Sequence, residues 1–311
     1  MNNDSLLLLR MINEGRTLNE ISSALGLSNK QLFVKFSMLR NSGYLFDRYY
    51  NYDGNISYSI SNPFENKVNH IRIETEDNLQ TIRALLTSDS HLGNINDNIR
   101  CLDGMMEYCI KEGIHIIFNS GDFFEGIYKN NKNSRHKTAQ EQLSYGLKVY
   151  PYDKNILTIT VLGNHDATIW SESGIDVKDV LEERRHDIIP IGYGDGVACI
   201  GPYRFSLQHP LLASNSPKIN HDMINLRGHS HKFKIVTSTN SLLIYVPTIS
   251  KVSTLSNPNP IPSMIDMTLK IKDGKIYDEY FQQLLFINDK PNRIGEFQYY
   301  VPIKGISMGN L

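Results

Sequence analysis

Asp89 and His91 stand two residues apart, and so do His229 and His231. On an extended strand end, residues at i and i+2 point to one side, so each pair can bind one cation. Between the pairs lie three more clusters of similar chemistry: Gly121-Asp122-Phe123-Phe124-Glu125, Gly163-Asn164-His165-Asp166 and His209-Pro210. Each of the five clusters closes a short apolar run. The donors are carboxylate, imidazole and one amide oxygen, a set that suits Mn²⁺, Fe or Zn²⁺ and not a thiolate-selected metal. Asp89, His91, Asp122, Asn164, His209, His229 and His231 outnumber the about three or four protein ligands of a single catalytic ion. Two ions about 3.5–4 Å apart, bridged by one carboxylate, use them all.

The elements that must carry these clusters are legible from periodicity. Apolar runs of strand length occupy 82–89, 114–122, 156–166, 204–209, 224–231 and 242–250, each ending in a polar group. Such runs are expected as buried strands that feed functional loops. Helices fit at about 96–112, 137–149 and 174–186. From Met264 the pattern alternates around Asp273-Gly274, the signature of a hairpin. Gly121, Gly163 and Gly228 are expected to let the backbone turn sharply, so that the ligands after them point inward.

The order and spacing of the five clusters resemble the calcineurin-like metallophosphoesterase family over about residues 81 to 285. The resemblance implies an α/β fold, a β-sandwich flanked by helices. It assigns Asp89, His91, Asp122 and His231 to a first metal. Asp122 would bridge, and Asn164, His209 and His229 would complete the second. His165 would be the imidazole that protonates the leaving oxygen, with Asp166 orienting it, and a metal-bridging hydroxide would be the nucleophile. Two divalent cations are implied, Mn²⁺ first, with Fe, Zn or Ni as alternatives. Asp89-Ser90-His91-Leu92-Gly93, with a long insertion after Gly121-Asp122, resembles the branch that contains DNA-repair exonucleases. The ATPase-docking part usual at the C-terminus of those nucleases is not recognisable.

Residues 1–60 read as a separate domain, 61–80 as a linker and 81–311 as the metallophosphoesterase domain. Leu6, Leu7, Leu9, Met11 and Ile12 predict a helix closed by Gly15, and Thr17 caps a second that stops at Gly26. Ser28 opens a third, with Leu32, Phe33, Phe36 and Leu39 on one face and Gly43 beyond its end. A hairpin over 44–60, turning at Asp53-Gly54, follows. The segment resembles a winged helix, and Lys30, Lys35 and Arg40 on its third helix make DNA a candidate partner. To His70, however, seven basic residues face six acidic ones, a balance of +1 and a weak electrostatic footprint. Dimerisation or docking, which would make a homo-oligomer, suits the same module.

With 40% hydrophobic and 21% charged residues and a net charge of -1, the chain falls in the ordinary globular range. Its overall field does not draw it to polyanions. Three cysteines without CxxC spacing argue for reduced thiols, and no run reaches the ~18 apolar residues of a membrane span. A cytoplasmic, membrane-free protein is expected. The basic stretch from Lys129 to Lys137 and Arg227 are candidates for phosphate contacts, Trp170 and Tyr193 for base stacking, and Glu125 for a solvated loop carboxylate. The leading function is a two-metal phosphodiesterase or nuclease acting on nucleic acid. A phosphatase or small-molecule phosphodiesterase is the second reading, and a non-catalytic DNA-binding regulator the third.

Overall fold

The computed structural model describes residues 3–28, 31–32, 35–36, 39, 45–50, 56–61, 70–73, 75, 79–128, 132–211, 216–238, 241–255 and 257–299. The chain divides into two compact units, Met1–Lys67 with Trp170–Ile175, and Val68–Ile169 with Asp176–Leu311.

In the first unit, helix α1 spans Asn3–Asn13 and α2 Leu18–Leu25. Thr17 and Glu20 form a reciprocal capping box at the start of α2, and Gly26 ends it in the left-handed region at φ 60°. Gln31, Leu32, Lys35, Phe36 and Leu39 are helical, and the Ser28 hydroxyl accepts from the Gln31 amide. Leu8, Ile12, Ile21, Leu32, Phe36 and Leu39 share one buried cluster. Strands β1 (Leu45–Tyr50) and β2 (Ile56–Ser61) pair antiparallel. Phe33, Lys30, Arg40, Gly43 and the Asp53-Gly54 turn lie outside the described residues.

In the second unit two sheets face each other. One carries β4 (Thr81–Thr87), β5 (Ile116–Asn119), β6 (Leu157–Leu162) and β7 (Ile188–Tyr193) in parallel. It is extended antiparallel by β13 (Ser263–Lys272), β14 (Lys275–Ile287) and β15 (Lys290–Tyr299). The other runs β11 (Lys234–Ser238), β12 (Ser241–Tyr245), β10 (Ile224–Arg227), β9 (Tyr203–Gln208), β8 (Asp195–Ile200) and β3 (His70–Ile73). Strand β3 lies inside the segment read as a linker, and pairs in parallel with β8.

The inward residues of both sheets form one core. Ile82, Ala84 and Leu86 of β4 meet Phe118, Phe205, Leu207 and Leu226, with the rings of Phe118 and Phe205 4.9 Å apart. Burial on both faces explains why the parallel strands are continuous apolar runs. Helices α3 (Ile99–Glu112), α4 (Ala139–Val149) and α6 (Val177–Arg184) fall within the predicted segments. Helix α5 (Asn164–Ser173) was not foreseen: its one fully buried apolar side chain, Ile169, leaves no periodicity to read. The β13–β14 turn has the predicted form, with φ of 51° at Asp273 and 69° at Gly274. No helix among the described residues is long and apolar enough to cross a membrane. Cys101, Cys109 and Cys199 are buried and form no disulfide.

Candidate metal centre

Every cluster sits just beyond the C-terminal end of a strand: Asp89 after β4, Asp122 after β5, Asn164 after β6, His209 after β9, and His229 and His231 after β10. The loops continue the sheet ladder briefly, with Asp89 N–H donating to Gly121 O and His91 N–H to Asp122 O. Side chains from two sheets are thereby delivered to one place.

Three three-residue groups result: Asp89, His91 and His231; Asp122, His209 and His229; and His91, Glu125 and His165. In the first, His231 Nε2 lies 3.2 Å from Asp89 Oδ1 and 3.3 Å from His91 Nε2. In the second, His209 Nε2 lies 2.9 Å from Asp122 Oδ2. Asn164 joins that group through Oδ1, 3.1 Å from His229 Nδ1. Asp89, His91, Asp122 and His209 are almost wholly buried.

These residues fit divalent cations. Asp89 Oδ1 and His209 Nε2 are buried without a well-formed hydrogen bond, although each lies close to another donor atom. Atoms so disposed converge on a cation rather than on each other. The far nitrogens are anchored: His209 Nδ1 meets Ser120 O at 2.6 Å and His231 Nδ1 meets Val252 O at 2.8 Å. Such contacts leave the opposite nitrogen facing the centre. Burial works against charge here, but the neighbouring histidines, His231 foremost, hold Asp89 down to about 2. Asp122 is likewise held well below the carboxylate range by His209 and His165 against its burial. Both are acceptor-only groups at neutral pH.

Asp89, His91, Asp122, His229 and His231 all have positive φ, five of the nine such non-glycine residues described. That region costs a side-chain-bearing residue conformational energy, and it persists where the surroundings over-determine it. Of the three glycines expected to turn the chain, Gly121 does so at φ 95°. After Gly228 the candidate ligands His229 and His231 themselves make the turns, and Gly163 and Gly228 are needed for space. A Cβ on Gly163 would collide with the Asp122 carboxylate and the His209 ring, and one on Gly228 with Ser120 O and Ser88 Oγ.

His165 packs against the candidate ligands, grouped with His91 and Glu125, its ring 4.5 Å from that of His91. Its side chain is 25% exposed, Nε2 is 4.0 Å from Asp122 Oδ2, and Nδ1 meets Glu125 O at 2.6 Å. Asp166, expected to orient it, instead accepts amides from Phe123, Phe124 and Gly163. It clasps the second and third clusters together. Its burial, then the nearby Asp122, raise its pKa to about 7.

Glu125, read as a loop carboxylate, is 4% exposed, with Oε2 3.2 Å from His91 Nδ1. Sequence reasoning also missed Thr248, whose hydroxyl donates to Asp89 O. Arg135 is committed to Asn94 O, Ile95 O and Asp97, which removes it as a phosphate clamp. Residues 129–131 of that stretch lie outside the described residues. Tyr193 donates to Asp176 and accepts from the Val177 amide, so it secures the start of α6. Arg227 is 8% exposed.

The sequence model of the calcineurin-like phosphoesterase family matches residues 82–263, more than half of the chain. No curated protein matches it. Solved structures similar to the chain include vacuolar protein sorting 29 from Cryptosporidium parvum, 14% identical, with 71% of this chain and 99% of that one covered and a TM-score of 0.44. Others are the phosphoesterase Yfce from E. coli (15%; 70% and 98%; 0.41) and an archaeal phosphodiesterase (14%; 66% and 99%; 0.36).

Proposed function

The chain belongs to the calcineurin-like phosphoesterase family, a metal-dependent phosphoester hydrolase, and on that premise we propose that it is a two-metal phosphodiesterase acting on nucleic acid. The observation that carries the two-metal reading is the pair of buried donor groups, Asp89, His91 and His231 beside Asp122, His209 and His229, with partly exposed His165 close to them. Asp89, His91 and His231 would hold one cation, and His209, His229 and Asn164 the other, with Asp122 available to both. Bound divalent cations supply Lewis acidity toward phosphoryl oxygens and water acidic enough to attack at neutral pH.

The chain's residues do the rest. Asp122 and Asp89 remain ionised and neutralise the centre. His165, exposed enough to meet a substrate, gives a proton from Nε2 to the leaving oxygen while Nδ1 stays on Glu125 O. Asp166 keeps the two loops in register. Nucleic acid is favoured as substrate by the helix-rich N-terminal unit, with Lys30, Lys35 and Arg40 in the segment that reads as its third helix.

The test is a screen of the Mn²⁺-loaded protein against p-nitrophenyl phosphate, bis-p-nitrophenyl phosphate, cyclic nucleotides, and single- and double-stranded DNA. Diester and DNA cleavage that stops on chelation is expected. Turnover of the monoester alone would overturn the nuclease reading.

A further inference from the structure

We propose that Glu125 is a positioning residue of the metal centre: its carboxylate holds the Nδ1 edge of His91, and its carbonyl holds the Nδ1 edge of His165. The inference rests on the two-metal reading above and assigns a role to a residue outside the ligand set.

The backbone of Glu125 is fixed first. Its amide donates to Leu92 O at 3.0 Å, and Leu92 and Phe124 form a parallel bridge, which ties the loop after β5 to the loop after β4. From that anchored position the side chain turns inward and is 4% exposed. Oε2 comes to 3.2 Å from His91 Nδ1 and 3.8 Å from His165 Nδ1, at ion-pair distance though without a well-formed hydrogen bond to either. The Glu125 carbonyl accepts from His165 Nδ1 at 2.6 Å. The rings of His91 and His165 meet edge to face, their centroids 4.5 Å apart. One residue thus locates a metal ligand with its side chain and the leaving-group acid with its backbone.

The other histidine ligands are held differently. His209 and His231 rest their Nδ1 atoms on the carbonyls of Ser120 and Val252, and His229 Nδ1 faces the amide of Asn164. His91 is the one whose Nδ1 faces a carboxylate. A carboxylate there keeps the proton on Nδ1, leaves the Nε2 lone pair toward Asp89 and His231, and makes the imidazole a stronger donor. Removing such a partner costs about 10–100-fold in metal affinity.

The test is Mn²⁺ titration of the metal-stripped full-length protein by calorimetry, for the wild type, Glu125→Ala and Glu125→Gln. The wild type should bind two ions. Glu125→Ala should weaken one site by about 10–100-fold and leave the other within about threefold. Glu125→Gln retains an acceptor oxygen and should recover most of the loss, which a merely space-filling role does not require. With a chromogenic diester, the activity of Glu125→Ala should return in excess Mn²⁺ without a change in KM. Circular dichroism melting checks that the variants fold, and Glu125→Gln carries the test should Glu125→Ala not. Wild-type isotherms in both variants overturn the proposal, as does a third ion bound by the wild type and lost in Glu125→Ala, which would make Glu125 a ligand. Failure of the wild type to bind Mn²⁺ would instead sink the two-metal reading itself.

Discussion

The imidazole of His209 stands 2.9 Å from the carboxylate of Asp122, both buried, so the two are placed to form an ion pair when the ring carries a positive charge. Burial disfavours that charge, but Asp122, helped by Asp89 and the Ser120 carbonyl, outweighs it and raises the pKa of His209 to about 9.

The sign of the pH dependence follows. Below pH 9 a metal must displace the His209 proton, so apparent affinity should rise with pH by up to about tenfold per unit and level off near 9. Stability of the metal-free protein should move the other way. A group raised from 6.5 to about 9 contributes stability that is complete below 6.5 and lost as pH climbs through 9. Calorimetry in buffers of different ionisation enthalpy measures the released proton, and thermal melts of the stripped protein measure the loss. Affinity independent of pH between 6.5 and 9 would contradict the picture.

Ligand and acid should separate by substitution. Asp122→Ala should lose both ions if, as proposed, its carboxylate serves two sites. His165→Ala should keep both and lose about 10²–10⁴-fold in turnover. Metal analysis of the purified variants decides it, and an empty site in His165→Ala would make His165 a ligand.

Asp166→Ala should act on the scaffold. Three backbone amides lose their acceptor at a fully buried position. A cost of at least about 2 kcal/mol in unfolding free energy is expected, seen as a lower denaturant midpoint. Unchanged stability with lost activity would return Asp166 to a role in catalysis.

Replacing Lys30, Lys35 and Arg40 together by Gln should weaken DNA binding. It should also shallow the log–log salt slope by about one unit for each phosphate no longer neutralised. Hydrolysis of a small chromogenic diester should not change. Equal DNA affinity and slope at two salt concentrations would turn the N-terminal unit into a docking or dimerisation module.

Much of this was legible in the chain itself. Continuous apolar runs mark β4, β5, β6, β9 and β10, because a strand buried on both faces must be apolar throughout. Metal-ligand chemistry requires particular side chains, so Asp89, His91, Asp122, Asn164, His209, His229 and His231 could be picked out as candidates by type and spacing, and the structure groups their side chains. Thr17 and Gly26 give the limits of α2, since capping is local. What the sequence could not convey depends on approach between distant segments. Helix α5 forms where its apolar pattern is too sparse to signal it. β3 becomes a strand by pairing with β8, more than a hundred residues away. Glu125 looks like a solvated acid until the loops after β4 and β5 bring it to His91. Asp166 looks like a partner of His165 because they are neighbours in sequence, but its oxygens turn to the amides of Phe123, Phe124 and Gly163. Side-chain identity decided which chemistry the centre can hold; packing between the two sheets decided which residues support it, because hydrogen-bond partners and burial exist only once distant strands have met.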